Sequence, residues 1–209
     1  GASALFRGRY QDAGVAYEVM WRLVEHGRDV QVRLWAHGGR AWAHLRTNQL
    51  DEASAAMAEA LALATDETMS GDLIYLGGAE GLLALALDDL SAAADAGERL
   101  EAVCRREPVV TYWSSPGLAA ACELWIGLAD AGHPGALKRA EYAVKIARGF
   151  GKRFPMGRAA AELWQGALLA RQGKPQKART LLTAAIASAS ATHVEHVAPV
   201  AERELKKLA

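Results

Sequence analysis

The chain has 209 residues, of which 51% are hydrophobic, and its 24 basic and 24 acidic residues give a formal net charge of zero. A balanced charge provides no overall field that attracts nucleic acid or an anionic membrane, so we expect neither as a partner. Two cysteines without a ligand-like spacing are typical of buried thiols in a reducing compartment. Because no apolar run approaches the roughly 20 residues of a membrane span, we expect a cytoplasmic protein.

A short motif recurs along the chain at intervals of about forty residues. In each copy a small or turn-prone residue precedes an alanine, and the alanines at 53, 140 and 178 open an Ala-x3-large-x2-Ala run. The copies are Gly8/Ala13, Asn48/Ala53, Asp88/Ala93, Gly132/Ala140 (with three extra residues) and Gly173/Ala178. A period near forty residues with two helices per copy is typical of a helical-repeat array, and such arrays bind partners more often than they catalyse reactions.

Alanine and leucine dominate the segments between the turns, so helix is predicted almost throughout. We predict a single helical-repeat domain over 1–209, with about five helical hairpins and a C-terminal capping helix. The hairpins are predicted at 1–26, 29–64, 71–106, 114–149 and 156–190, with the cap at 193–208. The first hairpin is expected to be incomplete, as in a fragment of a longer protein, and a break between helices is predicted at 149–155.

The residues Asp51-Glu52-Ala53 with Ala60-Leu61 resemble the tetratricopeptide repeat. The period of about forty residues departs from the usual length of about 34 residues, and the proline that normally closes a unit is missing after Ala64. The segments 153–158, 166–173 and 200–205 are similar to the closing repeats of large bacterial signal-transduction ATPases. In that group a cyclase, kinase or DNA-binding domain is fused to an NTPase and a helical array. The resemblance implies an all-α, α-α superhelix that acts in a signalling or regulatory protein.

A polar, basic row marks the second predicted helix. It consists of Arg33, His37, Arg40 and His44, at i, i+4, i+7 and i+11. The row is either a solvated helix face or part of a groove for an acidic peptide or a phosphate, since arginine pairs well with both. The tetratricopeptide register would bury positions 37, 40 and 44 and expose Trp35 and Trp42. Because unpaired polar groups are costly to bury, we expect the row to be exposed.

A second candidate surface lies in the connection 107–116, which holds Tyr112 and Trp113. Solenoids usually place such insertions on one rim. The aromatic pair is predicted either to anchor a partner or to cover the edge of the repeats.

No catalytic motif is found in the sequence. The segment 149–152 lacks the phosphate-binding spacing, and His193 and His196 have too few neighbouring ligands for zinc. We therefore expect a non-catalytic scaffold with no cofactor or metal. Its expected partner is a protein or peptide, with an acidic segment or a domain of the same full-length protein as candidates. The alternative is a sensing module that holds a small effector inside the superhelix and regulates an attached ATPase, cyclase or kinase.

Overall fold

The computed structural model describes residues 1–208, and 80% of the chain is helical, with no strand in the described part. The α-helices are α1 (Ala2–Phe6), α2 (Tyr10–Val24), α3 (Val30–Arg46), α4 (Leu50–Leu63), α5 (Ser70–Ala86), α6 (Leu90–Arg106), α7 (Ser115–Asp130), α8 (Ala136–Arg153), α9 (Arg158–Arg171), α10 (Pro175–Thr192) and α11 (Val197–Lys206). Short 3-10 turns precede α7 and α9. The prediction of an all-helical fold is confirmed. None of the described helices has the length and apolar character that crossing a bilayer requires.

The recurrent motif has a direct conformational reason. Its five turn residues all have left-handed backbone, with φ of 78°, 61°, 61°, 81° and 70° at Gly8, Asn48, Asp88, Gly132 and Gly173. Glycine adopts this conformation freely, and asparagine and aspartate are the residues that tolerate it next best. The alanines of the motif are fully buried: Ala13, Ala53, Ala93, Ala140 and Ala178 each have 0% exposure. A methyl group at these points lets two helices pack closely.

The helices pack in chain order. Helices α4, α6, α8 and α10 each lie against the helix that precedes them. Helices α3, α5, α7 and α9 also contact one another in succession, and α11 covers α9 and α10. The hydrophobic core runs continuously through this arrangement, from Leu5 near the start of the chain to Ala201 in the last helix.

Residues near the two ends of the described chain contact each other. The ring of Tyr10 lies 5.9 Å from that of His196, measured between centroids. A Cβ atom on Gly8 would lie 2.5 Å from the Cβ of His196, so the glycine allows this contact. Across the centre, Arg46 of α3 donates two hydrogen bonds, of 3.0 and 2.7 Å, to the carboxylate of Glu123 on α7. Side chains therefore fill the space that the helices enclose.

Two predicted boundaries are wrong. Helix α8 continues to Arg153, through most of the predicted break at 149–155. The glycine at 151 allows close packing instead of ending the helix, because a Cβ there would lie 3.1 Å from the Cα of Arg158. The last helix begins at Val197 and not at His193, which has a left-handed φ of 55° and ends α10.

Candidate functional site

The predicted basic row lies against α2 and is not an open face. His37 is 2% exposed, and its ring centroid is 4.3 Å from that of Trp21. The Arg40 guanidinium lies 5.7 Å from the Trp21 ring centroid, and its Nε is 3.1 Å from Oε2 of Glu18. The expectation that the row is exposed is therefore wrong at His37. Helix α2 supplies an aromatic ring beside His37 and a carboxylate beside Arg40, although neither ring nitrogen of His37 has a hydrogen-bond partner.

The remaining members of the row are half-buried. Arg33 and His44 each keep part of their surface, and Nδ1 of His44 lies 2.8 Å from Oε1 of Gln49. Burial lowers the pKa of His37, and the charge of Arg40 lowers it further, so the imidazole is neutral near pH 7. The four side chains thus form no continuous basic surface, and their role in binding an acidic segment stays a prediction.

An exposed apolar strip runs along α2. It consists of Val15, Val19 and Leu23, which are 68%, 53% and 80% exposed. Their spacing of four residues places them on one side of the helix. The strip borders a groove of about 700 Å³ between α2 and the end of α3, and the groove wall includes Glu18 and His44. The same spacing of apolar residues is typical of a helix side that packs against a neighbour.

The position of Leu23 is covered in later hairpins. Leu23 lies ten residues after the motif alanine, as do Leu63, Val103 and Phe150 in α4, α6 and α8. Val103 and Phe150 are 9% and 2% exposed and belong to one buried cluster with residues of α5 and α7. Those covering helices have 17 and 16 residues, whereas α1 has only 5. Among residues 1–208, no helix lies over Leu23, which is 80% exposed.

A second cavity, of about 280 Å³, lies beside the connection 107–116, and we call it the rim cavity. Its lining residues are Trp35, Met69, Gly71, Asp72, Thr111, Tyr112 and Trp113. Tyr112 is 56% exposed, while Trp113 is half-buried and stacks on Tyr75 with ring centroids 4.8 Å apart. The structure therefore brings both aromatic residues predicted from the sequence to one cavity.

The rim cavity contains a buried carboxylate that sequence reasoning missed. Asp72 is 3% exposed and accepts hydrogen bonds from Nε1 of Trp35 at 2.9 Å and Nε2 of Gln31 at 3.4 Å. Burial raises the pKa of Asp72 above its ordinary value, and the hydrogen bonds from Trp35 and Gln31 oppose this shift only in part. Both partners are uncharged, and Asp72 takes part in none of the ion pairs found among residues 1–208. Its partners lie on α3, 37 and 41 residues earlier in the chain, so no local sequence pattern indicates them.

The centre of the molecule holds a much smaller cavity, of about 50 Å³, near Tyr10, Arg46 and His196. Burial lowers the pKa of His196 to about 4, and the nearby charge of Arg46 contributes to the decrease. A cavity of this size accommodates a few water molecules, because each needs roughly 10–15 Å³.

Within residues 1–208, no group of three or more His, Cys, Asp or Glu side chains is arranged to hold a metal ion. Comparison of the chain with family models, curated proteins and solved structures finds no match.

Proposed function

We propose that the protein is a non-catalytic, tetratricopeptide-like scaffold that binds a partner protein through an amphipathic helix docked along α2. The observation that carries this proposal is the uncovered strip of Val15, Val19 and Leu23. Contiguous exposed apolar surface is uncommon on monomeric proteins and marks sites of interaction. The resemblance of the repeats to those of bacterial signal-transduction ATPases supports a signalling or regulatory role.

The repeat itself indicates what kind of partner fits. In the third and fourth hairpins a helix of 17 or 16 residues lies over the position equivalent to Leu23. A partner helix in that place would continue the line of α1 and bury Leu23, whereas Glu59 and Arg99, at the positions equivalent to Val19, stay exposed beside their covering helices. Its contact face needs small and aliphatic side chains, because close helix packing requires them. The groove edge carries the ion pair of Arg22 with Glu18, at 3.1 Å, which provides a polar rim.

The alternative of an effector inside the superhelix receives less support. Sites for small molecules typically have volumes of about 300–1,000 Å³. The central cavity has about 50 Å³, and the Arg46–Glu123 pair spans the interior.

The docking proposal is tested by selecting binders from a library of helix-forming peptides and measuring their affinity for variants. Leu23→Glu introduces a charge into the strip and should weaken binding by at least about tenfold, since a buried unpaired carboxylate is costly. Leu137→Glu is the matched control, because Leu137 is an exposed leucine on α8, with 39% exposure. Selected peptides should bind the control variant like the wild type. Binders that Leu23→Glu leaves unaffected, or a selection that gives no helical binder, would contradict the proposal.

A further inference from the structure

The rim cavity combines aromatic walls with a buried carboxylate that has no positively charged partner. The aromatic residues come from two distant segments, Trp35 from α3 and Tyr112 and Trp113 from the connection before α7. The carboxylate is that of Asp72, in the first turn of α5. We infer that this cavity binds an organic cation, such as an alkylated ammonium or guanidinium group. The inference concerns a surface separate from the α2 strip and does not depend on the docking of a helix there.

Electrostatics favour a cation over other ligands. A carboxylate removed from water is stabilised best by a positive charge, and Asp72 receives only two hydrogen bonds from neutral donors. Aromatic faces attract the same kind of ligand, because the ring quadrupole is negative above and below its plane. One face of Trp113 is already occupied by Tyr75. Trp35 and Tyr112 therefore provide the principal aromatic contacts.

The size and opening of the cavity also suit such a ligand. Its volume of about 280 Å³ has room for a trimethylammonium or guanidinium group with part of the attached chain. Two side chains at its edge, Met69 and Tyr112, are 51% and 56% exposed, so the cavity is reached from solvent without unfolding. An anion is excluded because it would face the buried charge of Asp72.

The position of Asp72 in a helix does not by itself account for the cavity. A carboxylate in the first turn of α5 interacts favourably with the helix dipole, which explains an acidic residue at this point. That interaction is also available to an exposed carboxylate with no aromatic neighbours. The helix dipole does not explain why the carboxylate of Asp72 is buried, nor why Trp35, Tyr112 and Trp113 line the same cavity.

The test compares choline with 3,3-dimethylbutan-1-ol, an uncharged molecule of nearly the same shape, by titration calorimetry and tryptophan fluorescence. Choline should bind at least about tenfold more tightly, because only choline has the charge that the carboxylate and the rings recognise. Asp72→Asn should abolish that preference while keeping an acceptor for Trp35 Nε1. Tyr112→Ala should weaken choline binding several-fold. Asp95→Asn, which alters an exposed aspartate on α6, should bind choline like the wild type.

Three outcomes would overturn the inference. Equal affinity for choline and its neutral analogue would show that the cavity is only apolar. If Asp72→Asn still prefers choline to the neutral analogue, the carboxylate of Asp72 is not part of the binding site. Absence of saturable binding for choline and for N-acetylarginine amide alike would show that the cavity holds no organic cation. If Asp72→Asn loses its cooperative thermal transition, Tyr112→Ala and the comparison of ligands on the wild type decide the question.

Discussion

Helices α2 and α8 occupy the same place in their hairpins, yet their apolar sides have opposite environments. Phe150 of α8 is 2% exposed, and Leu23, at the equivalent position of α2, is 80% exposed. Both helices follow a left-handed turn and have a fully buried alanine near their start, Ala13 in α2 and Ala140 in α8. They differ in the helix that lies beside them, which has 16 residues for α8 and 5 for α2. An apolar pattern thus defines the side that a helix can bury, and a neighbouring helix determines whether it is buried.

Replacing the covered residue should have the largest effect. Phe150→Ala leaves a cavity in the cluster that joins α6, α7 and α8, and we expect a loss of about 3–5 kcal/mol in the free energy of unfolding. Urea denaturation monitored by circular dichroism measures the change. Leu23→Ala is the control at the equivalent position. A loss of less than about 1 kcal/mol at Phe150 would mean that this cluster contributes little to stability.

The start of α2 is covered, unlike its apolar strip, because Tyr10 contacts His196. The burial of His196 should make the stability of the protein depend on pH. The pKa of His196 is lowered to about 4 in the folded protein, against about 6.5 for an unfolded histidine. The folded state therefore binds fewer protons between these values, and stability falls as the pH decreases from about 6.5 to about 4. In His196→Gln, the decrease in the free energy of unfolding over this pH range should be smaller than in the wild type by about 2–3 kcal/mol.

Urea denaturation of both proteins at neutral pH and near pH 4.5 separates this contribution from that of the carboxylates, which the two proteins share. Parallel decreases in the wild type and in His196→Gln would show that the imidazole is not the responsible group.

The smallest effect is expected on the uncovered side of α2. Leu23→Glu changes a residue that is 80% exposed, so the free energy of unfolding should stay within about 0.5 kcal/mol of the wild-type value. Thermal denaturation checks this expectation. A destabilisation of about 2 kcal/mol or more would mean that Leu23 is buried in solution, and the comparison between α2 and α8 would then fail.

The sequence by itself determined the helical class and the positions of the turns. The left-handed φ at Asn48 and Asp88 is a local requirement that only a few residue types satisfy, and close packing requires a small side chain such as Ala53 at the following contact. Because both requirements act within a few residues of each turn, they appear in the sequence as a short motif that recurs about every forty residues. Helix ends depend on packing as well as on local sequence, since Gly151 permits close packing within α8 where the sequence predicts a break.

The tertiary structure alone decided the environment of the polar and apolar residues outside the turns. His37 is buried because Trp21 of the preceding helix covers its ring, and Asp72 is buried because Trp35 donates a hydrogen bond from another hairpin. Leu23 has the spacing of an apolar helix side and yet is 80% exposed, since no helix among residues 1–208 lies over it. Burial and charge compensation depend on groups that are distant in the chain, so neither spacing nor composition could determine them.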